Sequence, residues 1–567
     1  MKFEPKSSVG EGLPHMGFNT TVVAEPRKSM DADILENASE PQVTEEDEIV
    51  FVQGRRFWYI TAVMSILMFL IFLEIPIVIT AAVAVTEDLG GLDIVGWLVA
   101  SYLLGYIGVI VIFAKLSDIL GRKFMLLVST AFFIIFSAAC SASQTFIQVV
   151  VFRAFQGIGG GGCYSICTII IMEIVPPEKY TKYVSYINIT SALALLSGPI
   201  IGGAIAAHTS WRWIFIINVP LASIAFIIAA ISIPTGFPYH GKSKHNQSKN
   251  VRGSVPKTML DRADIPGAVL LLFATLSLTA GFEEADSLFP WKSAYVITLL
   301  TASGVLYIAL LLWERYVTLS EKLREPVLPW RFFINRRMMS ILANQFLLGG
   351  PAFIGMFILP QRFQLVYGLS GLDAGIRLIP FSFAIPVATI FSAVLAGKKK
   401  IPLMYIFISG ACLQIIGFAL LGTLPVEPDI PARMYGYQVI AGWGCGMNFS
   451  LLTIAIPLVI EGRDRAVGMA AGAQFRLMGS TIVLSISTSV FNSHVRPRLH
   501  EIVGPAGVAD MNSFSNSLHN LSQAAAEQIR RAQAEGYNHQ TLVLCGAAAL
   551  QVFASLLLWD RKKQLVA

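Results

Sequence analysis

Residues 153–161 read Arg-Ala-Phe-Gln-Gly-Ile-Gly-Gly-Gly, and residues 438–446 read Gln-Val-Ile-Ala-Gly-Trp-Gly-Cys-Gly. Three glycines coincide when the two stretches are aligned, and the apolar segments around them keep the same offset. Glycines inside apolar helices let a neighbouring helix approach closely, although two glycine-rich helices can also coincide by chance. The alignment predicts an internal repeat, and hence a chain built from two related halves.

The composition is that of a membrane protein. Of the 567 residues, 54% are hydrophobic and only 14% are charged, whereas a soluble chain carries about 25% charged residues. This balance excludes an intrinsically disordered chain and a secreted domain held together by disulfides. The six cysteines lie in apolar stretches without the spacing of metal ligands, so we interpret them as core residues and predict no metal site.

Fourteen apolar segments are long enough to cross a bilayer core, which takes roughly 20 residues per helix. We predict an all-α polytopic membrane protein with 14 transmembrane helices in a 6+2+6 arrangement. The predicted parts are a cytosolic N-terminal tail (1–56), a first six-helix half (57–233), a cytosolic linker (234–264), two inserted helices (265–313), a second cytosolic linker (314–337), a second six-helix half (338–560) that includes a long outer loop (492–540), and a cytosolic tail (561–567).

Lysine and arginine are unequally distributed between two sets of loops, and cytosolic loops carry the excess. One set contains most of them, including the run 398–400, and we place this set and both termini in the cytosol. Asn520 begins a glycosylation sequon in the predicted outer loop, which is either a modified site or a chance match. The short outer loops carry only Arg212, Lys292, Arg362, Arg377 and Arg433.

A basic motif joins the second and third predicted spans. Residues 114–123 read Ala-Lys-Leu-Ser-Asp-Ile-Leu-Gly-Arg-Lys. Gly121 permits a tight bend, and Asp118 can pair with a cationic side chain or with a helix N-terminus. A simpler interpretation is a basic loop that only sets the topology.

Two charged residues lie inside predicted spans, where ionisable groups are costly and usually functional. Glu74 stands in the outer part of the first span, and Arg153 begins the glycine-rich stretch of the fourth. A carboxyl group in a low-dielectric cavity can load and release protons near neutral pH. The alternative for both residues is a position at the outer interface, which Arg153 would reach by snorkelling.

The fifth predicted span contains Ser-Gly-Pro-Ile-Ile-Gly-Gly at 197–203. Pro199 removes a backbone hydrogen bond and kinks a helix. Gly198 and Gly202 share one helix face, so a neighbouring helix can approach there, and Gly203 follows directly. The pattern predicts either a hinge or an ordinary kinked helix.

Together these motifs resemble the major facilitator superfamily, and within it the fourteen-span drug:proton antiporters of the fungal multidrug and secondary-metabolite exporter type. The resemblance covers about residues 57–560. It implies an inner gate formed by Asp118, Gly121, Arg122 and Lys123. The family pattern has glycine where this chain has Ala114.

The resemblance also implies a proton-coupling role for Glu74, where the family usually has aspartate, and for Arg153. The motif with Gly198, Pro199 and Gly202 marks proton-driven exporters of the family and is largely missing from its importers. It is the main reason to expect export. The fungal style of the loops suggests the plasma membrane, with the vacuolar membrane as second choice.

We therefore predict a proton-coupled secondary transporter that exports drugs, toxins or secondary metabolites by alternating access. Its partners would be a small-molecule substrate, protons and the lipid bilayer, with no nucleic acid, and the proton gradient would replace any cofactor. We expect a monomer. Asn344, Gln345 and Gln364 are candidates for the substrate cavity, and Arg476 either pairs across the bundle or touches an anionic substrate.

Two other functions stay open at this point. An importer of a siderophore or an amino acid would use the same fold, and a non-transporting sensor or scaffold could dock a partner through the acidic run 45–48. We predict no enzyme, because the sequence has no phosphate loop, nucleophile elbow or metal-ligand cluster. The acidic residues at 283–286 are expected to form a solvated outer loop.

Overall fold

The computed structural model describes residues 51–90, 95–176, 179–238, 264–286, 289–320, 324–397, 399–427, 429–509 and 523–559. Within these ranges nearly the whole chain is helical, and an isolated β-bridge joins Ala285 to Phe289. Asn520, the acidic run 45–48 and most of the predicted linker 234–264 lie outside the described residues.

The first half contains seven helices, of which the last two together form one span. They are α1 (Arg55–Leu89), α2 (Trp97–Leu120), α3 (Arg122–Ser141), α4 (Phe146–Ile174), α5 (Tyr180–His208), α6 (Arg212–Ile216) and α7 (Asn218–Ser232).

The inserted pair and the second half follow. The helices are α8 (Ile265–Glu284), α9 (Ala294–Leu319), α10 (Arg331–Ile334), α11 (Arg336–Gly349), α12 (Gly355–Leu365), α13 (Gly371–Arg377), α14 (Ile379–Gly397), α15 (Leu403–Gly422), α16 (Arg433–Val459), α17 (Arg465–Ala509) and α18 (Gln523–Leu556). A π-helical turn, Gly350–Ile354, joins α11 to α12 into one span, and a short 3₁₀ turn precedes α17.

Thirteen helices in the described ranges are long and apolar enough to cross a membrane. The predicted fifth span corresponds to α5, whose apolar stretch Ile189–Ile205 is shorter. The predicted all-α polytopic fold is therefore confirmed, whereas the number fourteen stays a prediction.

Helix pairs that pack in the first half have counterparts in the second. α4 packs against α2 and α3, and α16 packs in the same way against α14 and α15. α1 packs against α5, as α11 does against α17. The halves meet where α2 contacts α17 and where α5 contacts α14, which are also equivalent pairs. The contacts have the symmetry that the glycine repeat predicted.

The repeated glycines allow this packing. A Cβ atom on Gly157 would stand 2.1 Å from the carbonyl oxygen of Tyr102 on α2, and one on Gly442 would stand 2.4 Å from that of Phe381 on α14. No side chain fits at such distances, because a carbon and an oxygen would overlap. Glycine is required at both positions for the backbones to approach.

The prediction of an outer loop over residues 492–540 is wrong for most of that range. α17 continues to residue 509 and α18 begins at residue 523, so both ends of this segment are helical. Their extensions pack together, with the rings of Phe491 and Tyr537 4.9 Å apart and His494 within 3.0 Å of Glu535. Hydropathy registers only the polarity of this segment, whereas contacts between the two extensions stabilise the helices.

The inserted helices α8 and α9 pack against each other, and α8 also contacts α2 and α17. At their predicted cytosolic end, Asp264 accepts hydrogen bonds from its own helix, through Gly267 N, and from Trp313 Nε1 of α9, at 3.1 and 2.8 Å. Glu314 accepts one from Leu328 N at 3.0 Å. These bonds connect the pair to the chain that leads into the second half.

The outer end of α8 also differs from the sequence prediction. Glu284 is buried, and Asp286 forms an ion pair with Arg496 of α17 and accepts a hydrogen bond from Asn492. A solvated loop is therefore wrong for these two acids, since Glu284 is buried and the extension of α17 binds Asp286.

Candidate functional site

Glu74 of α1 and Arg153 of α4 form an ion pair inside the first half. The distance between Arg153 Nη1 and Glu74 Oε1 is 2.5 Å, and both residues are 0% exposed. The structure therefore excludes the alternative in which either side chain lies at the outer interface. It brings together the two residues for which a shared role in proton coupling was expected.

Other first-half residues complete this cluster. Asn218 Nδ2, at the start of α7, donates to Glu74 Oε2 at 2.6 Å, so both carboxylate oxygens are bound. Arg153 Nε donates to the carbonyl oxygen of Leu98 at 2.9 Å, and its Cζ lies 4.6 Å from the centre of the Tyr102 ring. Pairing and hydrogen bonds reduce the cost of burying charges, and this cluster supplies both.

The chemical consequence is a coupling between protonation and structure. As an ion pair, Glu74 and Arg153 are neutral together. A proton on Glu74 would leave Arg153 charged and without a counter-ion, although it would keep its bonds to neutral groups. Proton uptake therefore favours a rearrangement of the helices that carry the pair, since an uncompensated buried charge is costly.

The glycines of α5 pack directly beside this cluster. A Cβ atom on Gly198 would stand 2.5 Å from Pro76 Cγ, and one on Gly202 would stand 2.2 Å from Thr80 Oγ1, both on α1. Gly203 has open space around it. α5 continues through Pro199 without a break. The two packed glycines hold α5 against α1 just beyond Glu74.

The residues of the predicted inner gate lie at the turn between α2 and α3. Gly121 has φ 96°, a left-handed conformation that favours glycine. Arg122 Nη2 lies 2.5 Å from Asp118 Oδ1 and 2.9 Å from Glu173 Oε1 at the end of α4. Lys123 is half-buried next to this network. The structure thus adds Glu173 as a second acid on Arg122.

A neighbouring ion pair connects this motif with a distant part of the chain. Lys115 Nζ on α2 lies 2.6 Å from Glu325 Oε2, in the segment between α9 and α10. In the second half, Arg331 pairs with Asp464, with Nη2 2.7 Å from Oδ1. Both pairs lie at the predicted cytosolic ends of the helices, where relative movement of the halves would break or strain them.

A cavity with about 570 Å³ of empty space lies between the halves. Most of its lining is apolar or aromatic, and Arg476 is its one charged side chain among the described residues. This space includes room that is open to solvent. The lining consists of Met68, Phe72, Tyr164, Thr168, Ile171, Met172, Ser191, Phe449, Ser450, Thr453, Met469, Ala473 and Arg476.

The four cavity candidates from the sequence have different positions. Arg476 lines the cavity. Gln345 lies outside the lining and accepts a hydrogen bond from Arg476 Nη1 at 3.2 Å. Asn344 instead accepts a hydrogen bond from Ser555 of α18, at 3.0 Å, and Gln364 is exposed near the end of α12. Asn344 and Gln364 are not part of the lining.

Sequence reasoning missed three residues that complete these sites. Asn218, Glu173 and Tyr164 were not among the candidate site residues that the sequence indicated. Asn218 and Glu173 are distant in sequence from their partners. Asn218 lies 144 residues from Glu74, and Glu173 lies 51 residues from Arg122. An acid at the end of a glycine-rich helix was the available signal for Glu173.

The sequence profile described as Major Facilitator Superfamily matches residues 64–484. The chain belongs to this superfamily. It is therefore a multi-pass membrane transporter of the major facilitator fold, a class that takes small molecules as substrates.

Curated relatives cover most of this major facilitator chain. The MFS-type transporter FPY5 of Fusarium mangiferae is 36% identical over 90% of this chain and 85% of its own length. Multidrug resistance protein 3 of Bacillus subtilis is 30% identical over 76% of this chain and 80% of its own. The efflux pump FUS6 of Gibberella fujikuroi is 28% identical over 78% and 76%.

Solved structures share the major facilitator fold at low sequence identity. A bacterial homologue of the human lysosomal transporter Spinster, in an inward-facing unoccupied conformation, superposes with a TM-score of 0.56 at 14% identity, over 90% of this chain and all of that one. The human organic anion transporter MFSD10 gives a TM-score of 0.54 at 13% identity, over 89% of this chain and 100% of that one. These similarities concern the fold.

Proposed function

We propose that this transporter exports small organic molecules in exchange for protons, by alternating access. The observation that carries the proposal is the fully buried Glu74–Arg153 pair, beside the close packing of α5 on α1. Two relatives and one motif of this chain support export: one relative is named an efflux pump, another is named a multidrug resistance protein, and the family's exporter motif is present at 197–203. These names do not favour an importer or a sensor.

In this mechanism Glu74 exchanges protons and Arg153 responds to its charge. With Glu74 ionised, the pair holds α1, α4 and α7 together through Arg153 and Asn218. When a proton neutralises Glu74, the cluster loses its strongest attraction and the helices can rearrange. The ion pairs of Arg122 at the inner end would open and close with the same movement.

The remaining features of the proposal come from charge distribution and resemblance. Both termini face the cytosol, and the protein functions as a monomer in the plasma membrane, or alternatively in the vacuolar membrane. The proton gradient drives transport without a cofactor. Both termini can be located by adding a protease site to each end and testing cleavage in sealed vesicles.

Glu74→Gln tests the coupling. Purified protein is reconstituted into liposomes that contain a pH-sensitive dye, and a pH gradient is imposed in the presence of a toxic or fluorescent substrate found by screening. We expect Glu74→Gln to abolish transport driven by the gradient, because glutamine retains the hydrogen-bonding shape but cannot exchange a proton. Exchange of labelled substrate without a gradient should persist.

Glu461→Gln is the matched control, because it makes the same chemical change at an exposed residue. It should transport like the wild-type protein. Gradient-driven transport by folded Glu74→Gln at the wild-type rate would remove Glu74 from the mechanism. The amount of the compound inside cells of a deletion strain determines the direction of transport. Accumulation of the compound indicates export, and its depletion indicates import.

A further inference from the structure

Arg476 is a buried charge surrounded by neutral groups. It lies on α17 where the halves meet and is only 3% exposed. Its Nη2 donates to the hydroxyl of Tyr164 at 2.8 Å, and its Nη1 donates to Gln345 Oε1 at 3.2 Å. Its Cζ lies 4.2 Å from the centre of the Phe449 ring. Arg476 Nε is buried without a hydrogen-bond acceptor.

Within the described ranges, no carboxylate lies within ion-pair distance of Arg476. By contrast, Arg153, which is buried among the helices of the first half, has Glu74 as its carboxylate partner. An arginine keeps its positive charge in proteins, and a buried charge without a counter-ion is costly. A buried ionisable residue in this situation is a candidate for a functional site.

The packing of α17 shows that Arg476 is held in place rather than tolerated by chance. A Cβ atom on Gly349 of α11 would stand 1.9 Å from the carbonyl oxygen of Arg476. Gln474, two residues earlier, donates to Thr275 of α8 at 3.1 Å and accepts from Val111 N of α2 at 3.3 Å. The backbone that carries Arg476 is therefore fixed from three sides.

The rest of the cavity wall is suited to an apolar body. Met68, Phe72, Met172, Phe449 and Met469 surround the space next to Arg476. Methionine and aromatic side chains adapt to flat or irregular apolar molecules. The site thus combines one fixed positive charge, the hydroxyl group of Tyr164 beside it and a mostly apolar surface.

We propose that the substrate is an organic anion: an aromatic or aliphatic molecule with a carboxylate or similar acidic group. Its anionic group binds Arg476 and the hydroxyl of Tyr164, and its apolar part fills the space beside Phe72 and Phe449. Arginine binds carboxylates through paired charge-assisted hydrogen bonds, so the substrate supplies the missing counter-ion. This inference rests on the proposed function, because it names the substrate class of the same transporter.

The two other substrate classes fit this site poorly. An organic cation would be repelled by Arg476, and the described lining has no acid to attract it. A neutral molecule would displace water from the cavity and leave the guanidinium without compensation, which costs free energy. Of the three classes, only an anion is attracted by the buried guanidinium group of Arg476.

Direct binding tests the inference. Purified full-length protein in detergent at pH 7 is titrated with a panel of aromatic and aliphatic carboxylic acids, beginning with 2-naphthoic acid, and with the primary amide of each. Acid and amide have nearly the same shape but differ in charge. We expect at least one acid to bind ten-fold or more tightly than its amide.

Arg476→Gln should remove this preference for the acid, whereas Arg476→Lys, which retains the charge, should keep part of it. Arg433→Gln is the control, because it removes the same charge from an exposed position. The proposal is overturned if no acid in the panel binds more tightly than its amide. It is also overturned if folded Arg476→Gln retains the wild-type preference.

The result is independent of the proton-coupling proposal, because binding in detergent needs no gradient. Glu74→Gln should therefore still bind the acid in preference to the amide. If the acid binds but the pH gradient does not move it, the coupling proposal fails and the substrate class stands. If the gradient drives transport of amides as well as acids, the coupling proposal stands and the proposed substrate class fails.

Discussion

In the first half, Arg153 on α4 faces Glu74 on α1, whereas the residues at the matching positions of the second half are Gln438 on α16 and Leu359 on α12. All four are almost fully buried. The surrounding helices pack in the same pairs in both halves. The two halves thus share the same helix packing but differ in the charged residues at equivalent positions.

The difference also runs in the other direction. Arg476 on α17 of the second half matches Ser191 on α5 of the first, and both line the central cavity. The first half therefore buries an ion pair, and the second half places in the cavity lining an arginine without a carboxylate partner among the described residues. The comparison suggests a division of labour in which the first half binds the proton, whereas the charge that attracts the substrate is supplied by Arg476 of the second half.

The largest expected effect follows from making the first half resemble the second. The double substitution Glu74→Leu with Arg153→Gln should abolish gradient-driven transport, a loss of at least 100-fold. The protein should still fold, because replacing a buried ion pair by residues of similar volume is often neutral, whereas removing one partner costs about 3–5 kcal/mol. Internal pH of proteoliposomes and thermal unfolding in detergent measure the two effects.

The matching single variant Arg153→Gln is the reference for stability. It should unfold at a lower temperature than the double variant, because Glu74 then stays buried without its partner. If the double variant still moved protons and substrate together, the division between the halves would be refuted.

The shared packing can be tested next. Gly157→Ala and Gly442→Ala should each destabilise the protein by about 1–3 kcal/mol, because their new methyl groups would overlap backbone atoms of α2 and α14. Gly436→Ala, where no atom lies within 4 Å, should have no effect on thermal unfolding. Strongly unequal losses at Gly157 and Gly442 would show that the two packings are not equivalent.

The smallest effect concerns the contact between α5 and α1. Gly198→Ala places a methyl group 2.5 Å from Pro76 Cγ, and we expect transport to slow about ten-fold as α5 is pushed away from α1. Initial rates of substrate movement measure this change. Gly203→Ala, five residues along the same helix in open space, should transport at the wild-type rate. Equal rates for the two variants would remove this contact from the mechanism.

The sequence predicted the features that depend on local pattern. The glycine repeat identified which helices approach closely, since only glycine permits contact of two backbones. Glu74 and Arg153 were conspicuous because charged residues are rare in apolar helices. These signals need no knowledge of distant contacts.

The sequence could not predict the partners that the fold supplies. Asn218 reaches Glu74 from another helix, and Glu173 reaches Arg122 from the far end of α4. Gln364 and Asn344 were polar residues in the right region, but helix rotation turns one to the surface and the other toward α18. Which side of a helix faces a cavity depends on packing, and a weakly amphipathic sequence does not specify it.

The long α17 has a mechanical consequence. At 1.5 Å per residue, its 45 residues extend over roughly 67 Å, about twice the thickness of a bilayer core. Its inner part carries Arg476, and its outer part is braced by α18. A small tilt of α17 near the midplane therefore displaces the far end of the helix by a larger distance. A dye attached near Glu501 would report each conformational change of the transport cycle.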